Sequence, residues 1–457
     1  MVNKPVLFIP IEVKSRELYS KSLLALYAAA RGFYVLLGRK SELNQLALRA
    51  SPGAYYGLGT VQNMAEFYGE LSRRGNVIVV NDEEGLTTFS ASMYLDLRVA
   101  PDTLQAIDLL FTWGDENNRV ISSGRPEFKD KLRITGNPRF DLLKSTFRGI
   151  YDSEVKKINS KFPSLVLICT SFGCCNHYIS GIDYVQSLIE KKVLTTEKDI
   201  QDYLIYSKGK SKAFSAFLEA IPLLAQAFPE IQFVIRPHPS ESAEPYKQFG
   251  SSYANVYLET EFPIHAWLFA SKAIVHHYCT TAVEAFAAGV PGFALRPQRL
   301  PEVETEIPYG CSREVRSGYE LVEALRPCLR PAAGESFSLV APALPYSRYV
   351  RNISDDIACQ LIVDQLAERL SMRGPPPQSL MVPVRPAFDA KQFVKSFVSQ
   401  FLPSNWKNRG YVAHKVGGLT ANEVQSILEK LNPHGDISFV SRRAGHKIVS
   451  VECESSH

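Results

Sequence analysis

The chain has 457 residues, of which 45% are apolar and 21% charged, with a formal net charge of +4. That balance is ordinary for a globular protein, and the length exceeds what one core normally organises, so two or three domains are expected. No apolar run approaches the ~18 residues of a membrane span, and eight cysteines without a CxxC pair speak against a zinc site or a disulfide framework.

The first apolar run, residues 6–9, is too short for a signal-peptide core and is predicted to be the first strand. A helical pattern follows over 20–30, with Leu23, Leu24, Leu26 and Tyr27 in it and Gly32 as its stop. Further strands are predicted at 33–37, 77–80, 109–112 and 132–135. Near-continuous apolar strands separated by helices imply a parallel sheet covered on both faces. After a charged connector at 148–161 the pattern restarts. Strands are predicted at 165–168, 231–235 and 273–275, and a helix at 282–288 is closed by Gly289. The stretch from Ser171 to Gly209 is poorly patterned and reads as a mobile insertion. A long helix near 353–370 ends this part, and Arg373-Gly374-Pro375-Pro376-Pro377 breaks the chain.

The expected architecture is α/β of the GT-B type: two Rossmann-like parallel-sheet domains facing a cleft, over 1–150 and 160–373, with a small C-terminal extension over 376–457. In that extension Thr420 to Glu423 is a capping box ahead of Val424, Ile427, Leu428 and Leu431. Phe393, Phe397 and Phe401 recur every fourth residue, a stripe that suits a docked helix before a membrane surface. The extension holds ten Lys/Arg against six Asp/Glu, which equals the whole net charge. Its basic character suits peripheral contact with anionic lipid or a phosphate-bearing acceptor, against the plainer reading of a solvated surface. No block of like charges exists, and a nucleic-acid partner is not expected. Reduced thiols fit a cytoplasmic protein, at most one at the inner face of the cytoplasmic membrane.

Sheets of this kind hold ligands at the carboxyl ends of their strands, so the informative residues should follow strands. After 77–80 comes Asn81-Asp82-Glu83-Glu84-Gly85. Adjacent carboxylates repel and raise the pKa of at least one, which suits proton transfer; a solvated acidic loop is the bland alternative. Alternation along the chain sends Glu83 opposite to Asp82 and Glu84, which leaves Asp82 to hold the loop. After 231–235 comes Arg236-Pro237-His238-Pro239. Its prolines hold the loop rigid, Arg236 offers a fork for an anion, and His238 can donate to a phosphate oxygen or a leaving group.

After 273–275 comes His276-His277-Tyr278-Cys279-Thr280-Thr281-Ala282-Val283-Glu284. Thr280 and Thr281 open a helix, where hydroxyls and N–H groups together make an anion site, or merely an N-cap. Glu284, one turn in, suits ribose hydroxyls. Neighbouring His276 and His277 face opposite sides of a strand and do not make a metal pair. Arg16, Asn137, Arg139, Ser171 and Asn176 also follow strands and are candidate sugar or acceptor contacts, each equally open to a structural role. No Gly-rich dinucleotide fingerprint, Walker A or Asp-x-Asp clamp occurs. A transferase without a metal neutralises its leaving phosphate with His, Arg, hydroxyls and a helix dipole. No metal and no cofactor beyond a nucleotide-activated donor is therefore expected.

Glu83-Glu84-Gly85, His238-Pro239 and Thr280-Thr281 resemble, in this order, the motifs of bacterial sialyltransferases and the related Kdo transferases. Longer strings resemble the surface carbohydrate biosynthesis proteins: Arg16-Glu17-Leu18, Ala29-Ala30-Arg31-Gly32, Asp82-Glu83-Glu84-Gly85-Leu86, Gly136-Asn137-Pro138-Arg139-Phe140-Asp141, Thr280-Thr281-Ala282-Val283-Glu284-Ala285, and Gly418-Leu419-Thr420 with Glu423. The resemblance implies a GT-B glycosyltransferase that moves a CMP-activated nonulosonic acid or Kdo onto a surface polysaccharide or lipopolysaccharide acceptor. It puts Glu83 in the catalytic acidic place. Inverting transfer needs Glu83 as base, and retaining transfer needs a carboxylate nucleophile, for which Asp141 is the candidate. Two other readings stay open: a UDP-sugar epimerase of the same fold, and a non-catalytic scaffold of a polysaccharide assembly complex.

Overall fold

The computed structural model describes residues 4–50, 52–86, 91–178, 184–190, 194, 196–301, 303–331, 346–353, 356–372, 418–432, 435, 437–445 and 447–453. The chain divides into two units, one formed by 1–85, 98–150 and 347–457, the other by 86–97 and 151–346.

The first unit is built on an eight-stranded sheet. In chain order its strands are β1 (Val6–Ile11), β2 (Tyr34–Arg39), β3 (Ala54–Gly57), β4 (Val77–Asn81), β5 (Leu109–Thr112) and β6 (Leu132–Ile134). The spatial order 2-1-3-4-5-6 is parallel throughout, so the strand order reverses between β1 and β3. β1 and β4 are buried at every position, which is why they read as unbroken apolar runs. The four residues of β3, Ala-Tyr-Tyr-Gly, gave no such run, and Gly57 is required there because a Cβ would lie 2.3 Å from the Tyr68 hydroxyl.

The second unit has six parallel strands: β7 (Leu165–Cys169), β8 (Gln232–Arg236), β9 (Val256–Leu258), β10 (Ser271–His276), β11 (Gly292–Leu295) and β12 (Arg313–Val315). Their order, 12-11-10-7-8-9, is the Rossmann arrangement with its reversal between β7 and β10. Phe217, Ile221 and Leu224 pack from one helix onto Phe233, Val275 and Phe293 of this sheet.

Three expectations change. The stretch after Ser171 is not an insertion throughout: Glu197–Ala227 is one helix of 31 residues. It is opened by a reciprocal cap in which Thr196 Oγ1 accepts from Asp199 N (3.1 Å) and Asp199 Oδ2 accepts from Thr196 N (2.9 Å). The interior Pro222 and a mixed first half hid its period. Helix Ala358–Ser371, expected in the second domain, groups with the first unit. The described part of the tail also joins the first sheet. Strand β13 (Phe439–Gly445) pairs with β14 (Ile448–Cys453), and β14 runs antiparallel along β2. That pairing covers a sheet edge that would otherwise offer unpaired backbone groups. Thr420 does cap a helix, Ala421–Leu431, by accepting from Glu423 N (3.2 Å), while the Glu423 carboxylate pairs with Lys14 (2.8 Å) instead of closing a capping box; the helix buries Val424, Ile427, Leu428 and Leu431. The stripe of Phe393, Phe397 and Phe401 lies outside the described residues.

Candidate functional site

In the first unit a buried charged cluster gathers where the strand order reverses. β1 ends at Ile11, and helix Lys14–Ala30 begins three residues later. Glu17, fully buried, bends the intervening loop onto itself: its carboxylate accepts from the N–H of Glu12 (2.9 Å) and of Val13 (3.1 Å), from Arg16 Nη2 (3.1 Å) and from Lys21 Nζ (3.0 Å). Burial alone would raise its pKa, but Lys21, Arg16 and the Glu12 N–H together hold it at about 2. Lys21, also buried, donates to Pro10 O (2.9 Å) and Glu17 and reaches Glu83 Oε1 at 3.4 Å. Three acceptors match the three protons of an ammonium. Glu83 keeps Oε2 buried without a hydrogen-bond partner, and the Tyr56 hydroxyl is buried in the same state. Burial and the neighbouring Glu83 charge push the Tyr56 phenol well above its ordinary range.

Glu83 and its neighbours diverge as strand alternation predicts. Asp82 takes Arg98 in a two-pronged grip (Nε–Oδ2 3.0 Å, Nη2–Oδ1 2.5 Å), and Glu84 takes the third nitrogen at 2.9 Å. The Asp82 carbonyl accepts from Trp113 Nε1 (2.6 Å) and Gly85 N (3.1 Å), while its carboxylate accepts from Glu84 N (3.2 Å). Asp82 is thus a loop holder. Glu84 is about half exposed and also pairs with Arg16 Nη1 at 3.5 Å.

The Gly136–Asp141 string has a different role from the expected one. Asn137 Nδ2 donates to Asn81 Oδ1 (3.0 Å), its Oδ1 accepts from Arg139 N (3.0 Å), and its backbone exchanges bonds with the Asn352 side chain at 3.2 and 3.0 Å. Asp141 accepts from Asn352 Nδ2 (2.6 Å) and from the N–H groups of Ala358 and Cys359 (2.9 Å each), so it caps helix Ala358–Ser371 from a distance. Both oxygens are committed, and burial raises its pKa. Asp141 is a cap rather than a nucleophile, and Asn137 is an interior brace rather than a sugar contact. Arg139 is buried as well.

In the second unit the candidate residues follow β7, β8 and β10, which are neighbours in the sheet and parallel, so their loops share one edge. Glu241, which sequence reasoning missed, organises the loop after β8. Buried, it accepts from Thr170 Oγ1 (2.8 Å), His238 N (3.0 Å) and Tyr246 OH (2.7 Å). His238 is exposed, with Nδ1 2.7 Å from Ser240 Oγ; Pro239 beside it is half-buried. Arg236 spends its fork on the carbonyls of Glu261 (2.8 Å) and Phe262 (2.6 Å), bracing the loop where Phe262 takes a φ of +63°. Burial lowers its pKa to about 10. Arg236 is a loop brace and not a phosphate fork. Asn176 Nδ2 donates to Ser242 O (2.9 Å) and so ties two loops together.

Helix Thr280–Ala287 starts with Thr280 and Thr281 half-buried at the shared edge. Glu284 is fully buried one turn in, with Oε1 3.2 Å from His265 Nε2, whose Nδ1 meets Tyr151 OH at 3.0 Å. The pair His265–Tyr151 thus braces Glu284 in the first turn of the helix. Burial and the Lys210 charge push His276 down to about 3 and His277 well below its ordinary value, so both rings are neutral. Ser171 Oγ donates toward His277 O (2.7 Å) and Tyr278 O (3.3 Å), which makes Ser171 a pin between the β7 and β10 loops. Among the described residues no group of three His, Cys, Asp or Glu is placed to hold a metal ion, and no helix is long and apolar enough to cross a membrane.

No family model matches the sequence, and no curated protein does. Solved structures do match. MnaA of S. aureus with UDP is 12% identical and aligns over 82% of this chain and 100% of that one, with a TM-score of 0.51. The wall teichoic acid polymerase TagF is 11% identical over 81% of this chain and 90% of its own, with a TM-score of 0.50. A UDP-N-acetylglucosamine 2-epimerase is 14% identical over 83% and 100%, with a TM-score of 0.51. The fold is GT-B. At these identities the likeness speaks for the architecture alone, in which ligands sit at carboxyl edges where strand order reverses. Both reversal points of this GT-B chain carry buried charge, Glu17–Lys21–Glu83 in one unit and Lys210 in the other.

Proposed function

We propose that this GT-B chain is a nucleotide-sugar-dependent glycosyltransferase of surface polysaccharide biosynthesis. The observation that carries the reading is Glu83, a buried carboxylate at the first unit's reversal point, ion-paired through Oε1 and with Oε2 unpartnered. Glu83 Oε2 takes the proton of the acceptor hydroxyl. The acceptor oxygen then bonds to the anomeric carbon, and the bond from that carbon to the donor phosphate breaks, its electron pair staying on the phosphate. In the second unit, His238 and the start of helix Thr280–Ala287 are the groups suited to a donor phosphate. No metal takes part in this scheme. The donor is a CMP-activated nonulosonic acid or Kdo by the motif resemblance, and the acceptor is a glycan or glycolipid.

A second reading is a UDP-sugar epimerase, which the name of one of the similar structures, a UDP-N-acetylglucosamine 2-epimerase, favours. Nucleotide release from a panel of CMP-, CDP- and UDP-sugars, with and without excess chelator, separates the two. Transfer predicts release that survives chelation and falls by ~10²–10⁴-fold in Glu83→Gln. Conversion of UDP-GlcNAc to its C2 epimer without an acceptor establishes the epimerase instead. A protein that neither binds nor turns over any member of the panel is a scaffold.

A further inference from the structure

Lys210 lies on the inward stripe of helix Glu197–Ala227, in register with the core residues Ala213, Phe217, Ala220 and Leu224. It is 1% exposed. Its ammonium donates to Ser171 Oγ (3.0 Å) and reaches His277 O at 3.4 Å, the two loops that meet where the second sheet reverses. The rings of Phe172, Tyr206 and Tyr278 surround it at 5.5–5.6 Å. Among the described residues it has no ion pair with a carboxylate. The neighbouring buried cation Arg296 shows the contrast, since it pairs with Glu304 at 3.0 Å and Glu314 at 3.2 Å.

A buried ammonium held only by a hydroxyl, a carbonyl and ring faces is costlier to bury than an apolar side chain of the same shape. Burial indeed pushes the Lys210 pKa down, with Cys174, Glu304, Cys279 and Glu241 opposing from a distance. Fold stability alone would favour Met or Leu at a position otherwise lined by apolar groups. A lysine placed there without a directly paired carboxylate points to an anion that draws near on binding. The adjoining groups fit: Ser171 relays the contact to the carbonyls of His277 and Tyr278, and Tyr278 stands in the left-handed region at a φ of +46°. Those carbonyls belong to the loop that leads into helix Thr280–Ala287.

We propose that Lys210 is a positioning residue for the phosphoryl group of the nucleotide donor, acting through Ser171 and through its own charge, which no carboxylate pairs directly. This rests on the nucleotide-sugar reading above and names the part of the ligand that the second unit's reversal point recognises. The phosphate lies over the loop, and Lys210 remains beneath it.

The test is calorimetry of the full chain with cytidine, CMP and CDP and with uridine, UMP and UDP. Lys210→Met removes the charge and keeps the length of the side chain. Lys210→Gln keeps a hydrogen bond to Ser171 without the charge. Both should lose phosphate-bearing nucleotides by roughly ten- to a hundred-fold, the size of a charge-assisted contact, while the parent nucleoside changes by less than about threefold. Lys210→Arg should recover part of the loss. Equal weakening of nucleoside and nucleotide indicates general loosening of the loops and overturns the proposal, as does unchanged CMP, CDP, UMP and UDP affinity in Lys210→Gln. If Lys210→Met does not fold, Lys210→Gln and Ser171→Ala carry the comparison. Wild-type protein that binds none of the six compounds refutes the nucleotide reading itself, an outcome distinct from failure of the lysine alone.

Discussion

Glu17→Gln isolates the energetic value of the buried cluster. The glutamine keeps the shape and an acceptor oxygen for the loop, but removes the charge that faces Lys21 and Arg16. In the folded protein the Glu17 carboxyl titrates at about 2 instead of its ordinary 4.5. At 1.36 kcal/mol per pH unit, that drop is worth about 3 kcal/mol of stability. Because the folded value is the lower one, the stabilisation is complete above about pH 4.5 and fades as pH falls through about 2. Urea midpoints of wild type and Glu17→Gln, measured from pH 7 down to pH 2 and converted with the slope of each transition, give the difference directly. A gap of about 3 kcal/mol at pH 7 should close toward pH 2. A gap that stays constant across this range, or one below about 1 kcal/mol at pH 7, would refute the claim that the ion pairs with Lys21 and Arg16 outweigh the desolvation of Glu17.

Two further substitutions test the braces of the first unit. Asp141→Asn replaces one of two accepting oxygens by an N–H₂ group that must face the Ala358 or Cys359 N–H, so a loss of about 2–3 kcal/mol is expected by urea unfolding; a loss under about 0.5 kcal/mol would show that the helix needs no remote cap. Gly136→Ala sets a Cβ 2.1 Å from Asn352 Oδ1 at a φ of +82°, and a loss above about 2 kcal/mol, or insoluble protein, is expected; a thermal midpoint equal to wild type would mean that the Asn352 brace yields freely.

The strands legible in the sequence are β1, β2, β4, β5, β6, β7, β8 and β10; most of them bury their central residues on both faces, and such burial demands an uninterrupted apolar run. The outer strands β9, β12 and the pair β13–β14 had no such requirement and left no signal, whereas β3 and β11 are buried at every position but are four residues long with a glycine at one end, too short for an apolar run to stand out. The divergence of Glu83 from Asp82 and Glu84 followed from alternation at a strand end, and the structure has it. Lys21 and Lys210 carried a readable sign that was passed over: each sits on the apolar stripe of its helix, where a lysine without a reason is rare. What motif strings did not convey is the difference between a residue that faces a ligand and one that faces the core. Asn137, Asp141 and Arg236 follow strands as Glu83 and His238 do, yet their polar atoms are spent on Asn81, on a helix start at 358 and on the loop at 261–262.

The sequence by itself determined two doubly covered parallel sheets and the loops in which their polar residues gather, because burial periodicity and strand-end chemistry are local properties of the chain. Tertiary structure alone decided which of those residues have hydrogen-bonding capacity left over. That depends on partners more than two hundred residues away, such as Asn352 against Asn137 and Ala358 against Asp141, and a saturated side chain differs from an available one only in the company that folding brings to it.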